Sequence, residues 1–320
     1  MARAVDEAMA AERPEKATVR ELWVEEIARV KGTPDPGGVP LYLTTPGALG
    51  MDIALLIESG VLELEENEAV KEPEKLRLVA IESSLLANVE LRKKFPGIKI
   101  LETDLRSALK AENMMNFPEK PSRPLFRARV VNLDLESRLE AEVSNNQLHF
   151  PLLSLVHKIA VLHTDPPVDW TLCLTLHGEA DWKGNSAKKA CEFLVANFNR
   201  DPEFAEQAKA TLGSDLFDSI CGTKNSALKN LDRDEQRLVL KVLVPKRIAF
   251  DAHRVGWAVD TVENLHYGGA GDRAGMVMWM LRFKWDERHS TEADAIYGEA
   301  LPRILARRGH ITSGGVLRRV

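Results

Sequence analysis

Four short segments carry the residue types from which a small-molecule site is built. In the stretch Thr44 to Asp52, Gly47 and Gly50 lie between a β-branched strand and an apolar run at helical spacing. A glycine turn lets backbone come close to a ligand, and the helix after it presents unpaired N–H groups. Pro46, inside the same turn, removes one backbone donor. Glu82 closes the apolar run Leu76–Ser83. An acid at such a strand end accepts hydrogen bonds from both hydroxyls of a ribose, or caps the next helix. Asp104 follows a third strand and is a candidate N-cap. The fourth segment, Asn132 to Ser137 (NLDLES), offers an amide and a carboxylate. Asp134 there is a candidate general base or hydrogen-bond acceptor, or simply a carboxylate exposed at a strand end.

These segments need a scaffold that brings strand ends together. Val5–Ala11 and Ala17–Lys31 read as helices, the second with Val19, Leu22, Trp23, Ile27 and Val30 on one stripe and Thr18 or a neighbour as its cap. Gly32–Gly38 breaks the pattern and leads into the first strand. Strand and helix then alternate. A helix spans Leu85–Phe95, a strand Ile98–Glu102, a helix start follows Thr103, and a strand covers Phe126–Ser137. A helix over Leu152–His163 and a fifth strand over Asp169–Glu179 come next, then mostly helix to about His253. Strands with little polar alternation, separated by helices, predict a parallel sheet covered on both faces. Val255–Trp285 instead holds two strand-like runs around HYGGAGDRAG, a connection too short for a crossover helix, so an antiparallel hairpin is expected. Thr291–Arg308 reads as a helix, followed by a loose basic tail.

Five strand–helix alternations closed by an antiparallel hairpin resemble the class I S-adenosylmethionine-dependent methyltransferases. That family has a Rossmann-like, doubly wound, mostly parallel sheet of seven strands, with the last antiparallel to the sixth. The resemblance covers roughly Val39–Trp285. It implies S-adenosylmethionine as cofactor, with Thr45, Gly47 and Gly50 in the glycine-rich first motif, Glu82 on the ribose hydroxyls and Asp104 on the adenine amino group. It also implies that Asn132 and Asp134 face the methyl acceptor, with a nucleic acid or nucleotide as the leading acceptor class. The first motif here has two glycines and a proline in place of the family's three clustered glycines. NLDLES resembles the Asp-Leu-Asp type of some RNA methyltransferases, without the following Pro-Phe-Gly. These departures leave a second reading open, a binding or scaffolding protein that retains the fold without the chemistry.

Other strings carry less. Asp165–Val168 (DPPV) precedes a strand and reads as a helix-stopping loop. His149, His157, His163 and His177 have no metal-ligand spacing, and of these His177 lies at a strand end. Met276, Met278 and Met280 alternate with Val277, Trp279 and Leu281, so the strand is buried on two sides or forms a homodimer interface. The 320 residues accommodate an N-terminal helical extension (1–37), a Rossmann-like domain (38–290, with a helical insertion at about 200–250) and a C-terminal helix and basic tail (291–320). Hydrophobic content of 44% and charged content of 28% describe a globular chain with a sizeable core. A formal net charge of −5 excludes a general cationic field, so a nucleic-acid partner needs a local basic patch such as the C-terminal arginines. Cys173, Cys191 and Cys221 are widely spaced and are expected as buried free thiols. With no signal-like segment and no apolar run of about 20 residues, a cytoplasmic protein without a membrane partner is expected.

Overall fold

A computed structural model describes residues 13–33, 39–47, 49–62, 78–96, 98–114, 126–135, 137–222, 227–268, 275–286, 305 and 308–319. Helix α1 (Pro14–Lys31) begins on a proline, whose missing N–H is not needed in a first turn, and buries Val19, Trp23, Ile27 and Val30 on one stripe. It starts earlier than the spacing of Thr18 suggested. The Thr18 hydroxyl donates to Pro14 O (3.2 Å) and to Gly315 O (2.7 Å), so it caps no N–H.

The alternation then unfolds as β1 (Tyr42–Thr44), α2 (Met51–Glu58), β2 (Leu78–Ile81), α3 (Leu85–Lys94), β3 (Lys99–Leu101), α4 (Leu105–Met114) and β4 (Val130–Asp134). β1 pairs in parallel with β2 (Tyr42↔Leu78) and with β4 (Tyr42↔Val130), and β2 pairs in parallel with β3. β1 and β2 are buried at every position, which is why they read as unbroken apolar runs.

A hairpin follows that the apolar pattern did not announce. β5 (Leu139–Ser144) and β6 (Gln147–His149) pair antiparallel across Asn145 and Asn146, both at positive φ (50° and 59°). Asparagine tolerates the left-handed region, and two such residues in succession make the tight turn that matches strand twist. α5 (Pro151–Leu162), β7 (Trp170–His177) and β8 (Ala180–Trp182) come next, β8 pairing in parallel with β5. The helical stretch comprises α6 (Ser186–Arg200), α7 (Pro202–Leu212), α8 (Ser214–Gly222) and α9 (Arg233–His253). β9 (Trp257–Tyr267) and β10 (Met276–Trp285) form the expected antiparallel hairpin, with a bulge between Met280 and Leu281. Met276 to Leu281 are all buried within the single chain.

The basic tail is not loose. Arg308–Ile311 is a strand, β11, parallel to β9 (His310↔His266), and Leu317–Arg319 is β12. A turn joins them in which Thr312 N donates to Val316 O (3.0 Å), with Gly315 at φ +79°. The helix expected over Thr291–Arg308 lies mostly outside the described residues, as does that over Val5–Ala11; Arg308 itself begins β11. The large sheet has the order β12-β11-β9-β10-β7-β4-β1-β2-β3, and a small one the order β6-β5-β8. The fold is thus α/β, with a nine-stranded mixed sheet, a parallel core and antiparallel C-terminal strands. By internal contacts the chain divides into two compact units, one of Met1–Asp134, Trp170–Cys173 and Thr312–Leu317, the other of the remainder.

In the second unit, α9 packs on β9 through a helix that carries Pro245 in its interior. Proline has no N–H for the carbonyl of Lys241 four residues earlier. Asn264 of β9, fully buried, supplies the missing donor, its Nδ2 lying 2.9 Å from Lys241 O. Asn264→Ala therefore orphans a buried carbonyl and is expected to cost about 1–3 kcal/mol in urea unfolding. In a Pro245→Ala background the helix regains its own donor, so the same substitution should cost markedly less. Equal costs in both backgrounds would disprove this account of Asn264.

Candidate functional site

The first unit collects the carboxyl ends of β1, β2, β3 and β4 along one edge, the side on which open α/β sheets bind ligands. The register sets Thr44 beside both Ala80 and Asn132. One residue on, Thr45 N donates to Asn132 O (3.2 Å), and Asp134 N donates to Thr45 Oγ1 (3.1 Å). Thr45, Asn132 and Asp134 are thus tied together by backbone and hydroxyl.

The two glycines of the turn have different reasons to be glycine. Gly47 has φ +61°, and an added Cβ would meet nothing within 4 Å, so backbone conformation alone requires it and the space beside it is open. Gly50, at φ +57°, is the N-cap of α2. A Cβ there would lie 2.7 Å from Phe95 Cε2 and 2.8 Å from Leu91 Cδ2, so Gly50 also lets the turn close on α3.

Beneath the turn lies a polar network. Asp52 Oδ2 accepts from Tyr42 OH (2.7 Å) and from Thr44 Oγ1 (2.5 Å), and Tyr42 OH accepts from Asn132 Nδ2 (2.8 Å). All four residues are 5% exposed or less. Burial, reinforced by the Asp52 charge, pushes the Tyr42 phenol well above its ordinary pKa, so it remains a protonated donor. Asn132, expected to face an acceptor, turns its amide into this network. Its Oδ1 and Asp52 Oδ1 find no hydrogen-bond partner among the described residues. Asp134, by contrast, is partly exposed and pairs with Lys16 of α1 at 2.8 Å.

Glu82 stands just past β2, its N–H donating to Leu101 O (3.1 Å), which ties it to the end of β3. Its Oε1 accepts from Ser84 N (2.7 Å) at the start of α3, where Ser84 Oγ caps the helix. Its other oxygen is uncommitted among the described residues, and the side chain is partly exposed. Asp104 caps α4: Oδ1 accepts from Ser107 N (2.9 Å) and Oδ2 from Ser107 Oγ (2.6 Å). These bonds hold its carboxyl below the ordinary aspartate range. Both roles read from the sequence for Glu82 and Asp104, cap and ligand contact, remain compatible with this geometry.

Tyr42, Asp52 and Lys16 were not singled out by sequence. Asp52 carried a signal, being the sole charged residue in the otherwise apolar start of α2, whereas nothing in the spacing pairs Lys16 with Asp134. In the other unit, His177 N donates to Ser137 O (3.0 Å) at the end of β7, and the DPPV segment lies in the loop between α5 and β7. Cys173 and Cys191 are buried free thiols, but Cys221 is exposed, against expectation, because it falls on the outer face of α8.

No family model, curated protein or solved structure matches the chain. Among the described residues no helix is long and apolar enough to cross a membrane, and no group of three His, Cys, Asp or Glu is placed to hold a metal.

The Asp104 cap gives a pH-dependent expectation. A carboxyl whose folded pKa is depressed contributes stability above its unfolded pKa and loses it as pH falls through the folded value. Asp104→Ala should cost about 0.5–2 kcal/mol at neutral pH, as for other lost N-caps. Denaturant unfolding of the two proteins should converge once the pH is low enough to protonate Asp104; a gap that persists there would assign the loss to packing.

Proposed function

We propose that the chain is an S-adenosylmethionine-dependent methyltransferase of the class I type, acting on a nucleotide or nucleic-acid acceptor. The observation that carries the reading is the strand order. Without the edge strands β11 and β12, seven strands remain, with a parallel core and with β10, the last in sequence, antiparallel to β9. The residues of the first unit fit the cofactor at two points: the open space beside Gly47 and the uncommitted oxygen of Glu82.

Bound there, S-adenosylmethionine supplies a methyl group on a sulfonium leaving group, so the protein's task is chiefly to hold and align. Glu82 Oε2 accepts from the ribose hydroxyls while Oε1 stays on Ser84 N. Asp104 accepts from the adenine amino group while capping α4, since each carboxylate oxygen has a second lone pair. The Thr45–Gly50 turn forms the wall beside the cofactor. Asp134 is the acceptor-side hydrogen-bond acceptor, positioned by Lys16 and Thr45. Asn132 acts through Tyr42 as a positioning residue.

A second reading has its own support. Gly50 is occupied by packing, Asn132 by the buried network, Asp134 by Lys16 and Asp104 by Ser107. Each has a structural role sufficient to explain it, as in a binding protein that keeps the fold without the transfer.

Calorimetric titration with S-adenosylhomocysteine separates the two. The enzyme reading expects micromolar binding, weakened roughly ten- to a hundredfold by Glu82→Ala through loss of charge-assisted hydrogen bonds. No heat at millimolar cofactor would leave the binding-protein reading standing.

A further inference from the structure

The second unit gathers cationic and protonatable side chains at the carboxyl end of β9 and β11, none of them among the residues assigned to the candidate site above. α9 contributes Arg237 and Lys241, one turn apart on the same face; β9 contributes His266, and β11 contributes Arg308 and His310. The two strands are parallel, so His266 and His310 stand in register, and their rings stack with centroids 5.6 Å apart. Lys241, 4% exposed, lies behind them, its Nζ 3.3 Å from His266 Nδ1 and 3.1 Å from Gly309 O.

Three features make this more than a solvated basic face. First, two of the three cations lack a carboxylate partner among the described residues: Asp234 pairs with Arg237, while Lys241 and Arg308 have none. Burial and then the neighbouring cations bring Lys241 down to about 8 and His266 to about 3, so like charges are held together at a cost. Second, the donors are fixed. Arg308 is anchored on Gln207 O and Thr211 Oγ1. Arg237 fills a slot that exists because positions 178 and 275 are glycine: a Cβ on Gly178 would fall 2.2 Å from its Cγ, and one on Gly275 2.6 Å from its Nη1. Third, the ring orientation follows from the Lys241 contact. A protonated lysine only donates, so His266 Nδ1 accepts and the neutral ring carries its proton on Nε2, as a donor.

We propose that this cluster is a binding site for a phosphate group, with the stacked rings of His266 and His310 as hydrogen-bond donors and Lys241, Arg237 and Arg308 as the surrounding charge. The ligand is a phosphomonoester or the phosphate of a nucleic-acid strand. Either offers acceptor oxygens and the negative charge that relieves the repulsion. The site requires no bound methyl donor, so it stands or falls separately from the cofactor reading.

Titration of the full chain with inorganic phosphate, glycerol monophosphate and glycerol tests it, since none of these carries the adenine or ribose that the cofactor reading invokes. Phosphate and the monophosphate are expected to bind and glycerol not to. His310→Ala and Lys241→Met should each weaken phosphate by about tenfold or more, the loss of one charge-assisted contact. His310 is part-exposed and its truncation leaves the backbone of β11 in place, so a folding defect in Lys241→Met does not remove the test. Glu82→Ala should leave phosphate affinity unchanged. A single-stranded oligonucleotide that binds more tightly than the monophosphate, with steep salt dependence, identifies a nucleic-acid backbone; equal or weaker binding identifies a free phosphomonoester. No heat at millimolar phosphate, or undiminished affinity in both variants, overturns the proposal.

Discussion

A buried carboxylate has to be satisfied, and in the first unit that requirement organises the edge where the strands end. Asp52 sits in the first turn of α2, where negative charge is favoured by the helix N-terminus. Two hydroxyls from β1 reach it, and Asn132 of β4 reaches one of those. Strand, helix and neighbouring strand are thereby fixed by one polar group, which apolar packing alone would not hold in a single register. The turn between β1 and α2 is then short of alternatives: its ends are pinned, and two glycines at positive φ close the gap.

The same arrangement explains why the residues proposed for ligand contact differ in standing. Glu82 and Gly47 lie where no packing demand exhausts them. Gly50 and Asn132 are occupied on the protein's own account, and their types are explained without a ligand. A site built on such an edge has a rigid floor, the network, and a small number of free groups above it.

Legibility in the sequence followed burial. β1, β2, β4 and β7 are covered on both faces, so their apolar runs announced them, and the short glycine-rich connection announced the antiparallel pair β9 and β10. The β5–β6 hairpin escaped because its strands are short and half exposed, and its turn uses Asn145 and Asn146 where a glycine would have been the usual marker. β11 and β12 escaped because they are short strands whose arginines, with a glycine-bearing turn between them, resemble a frayed tail. At the site, position along a strand could be read but side-chain direction could not. Asn132 and Asp134 stand two apart on β4, yet one side chain is enclosed by Tyr42 and the other meets Lys16. That difference depends on neighbours from β1 and α1, which no local spacing reveals.

The contact between Thr18 and Gly315 bears on how this unit is assembled. The two residues are 297 positions apart, and a Cβ at Gly315 would lie 3.0 Å from Pro14 O, so the segment sits closely on the first turn of α1. A helix synthesised early thus completes its surroundings only when a turn synthesised far later has emerged. Closure across so long an interval is entropically costly and slow. On the ribosome, the first turn of α1 would wait for its partner at residues 312–317 until the whole intervening unit has been made.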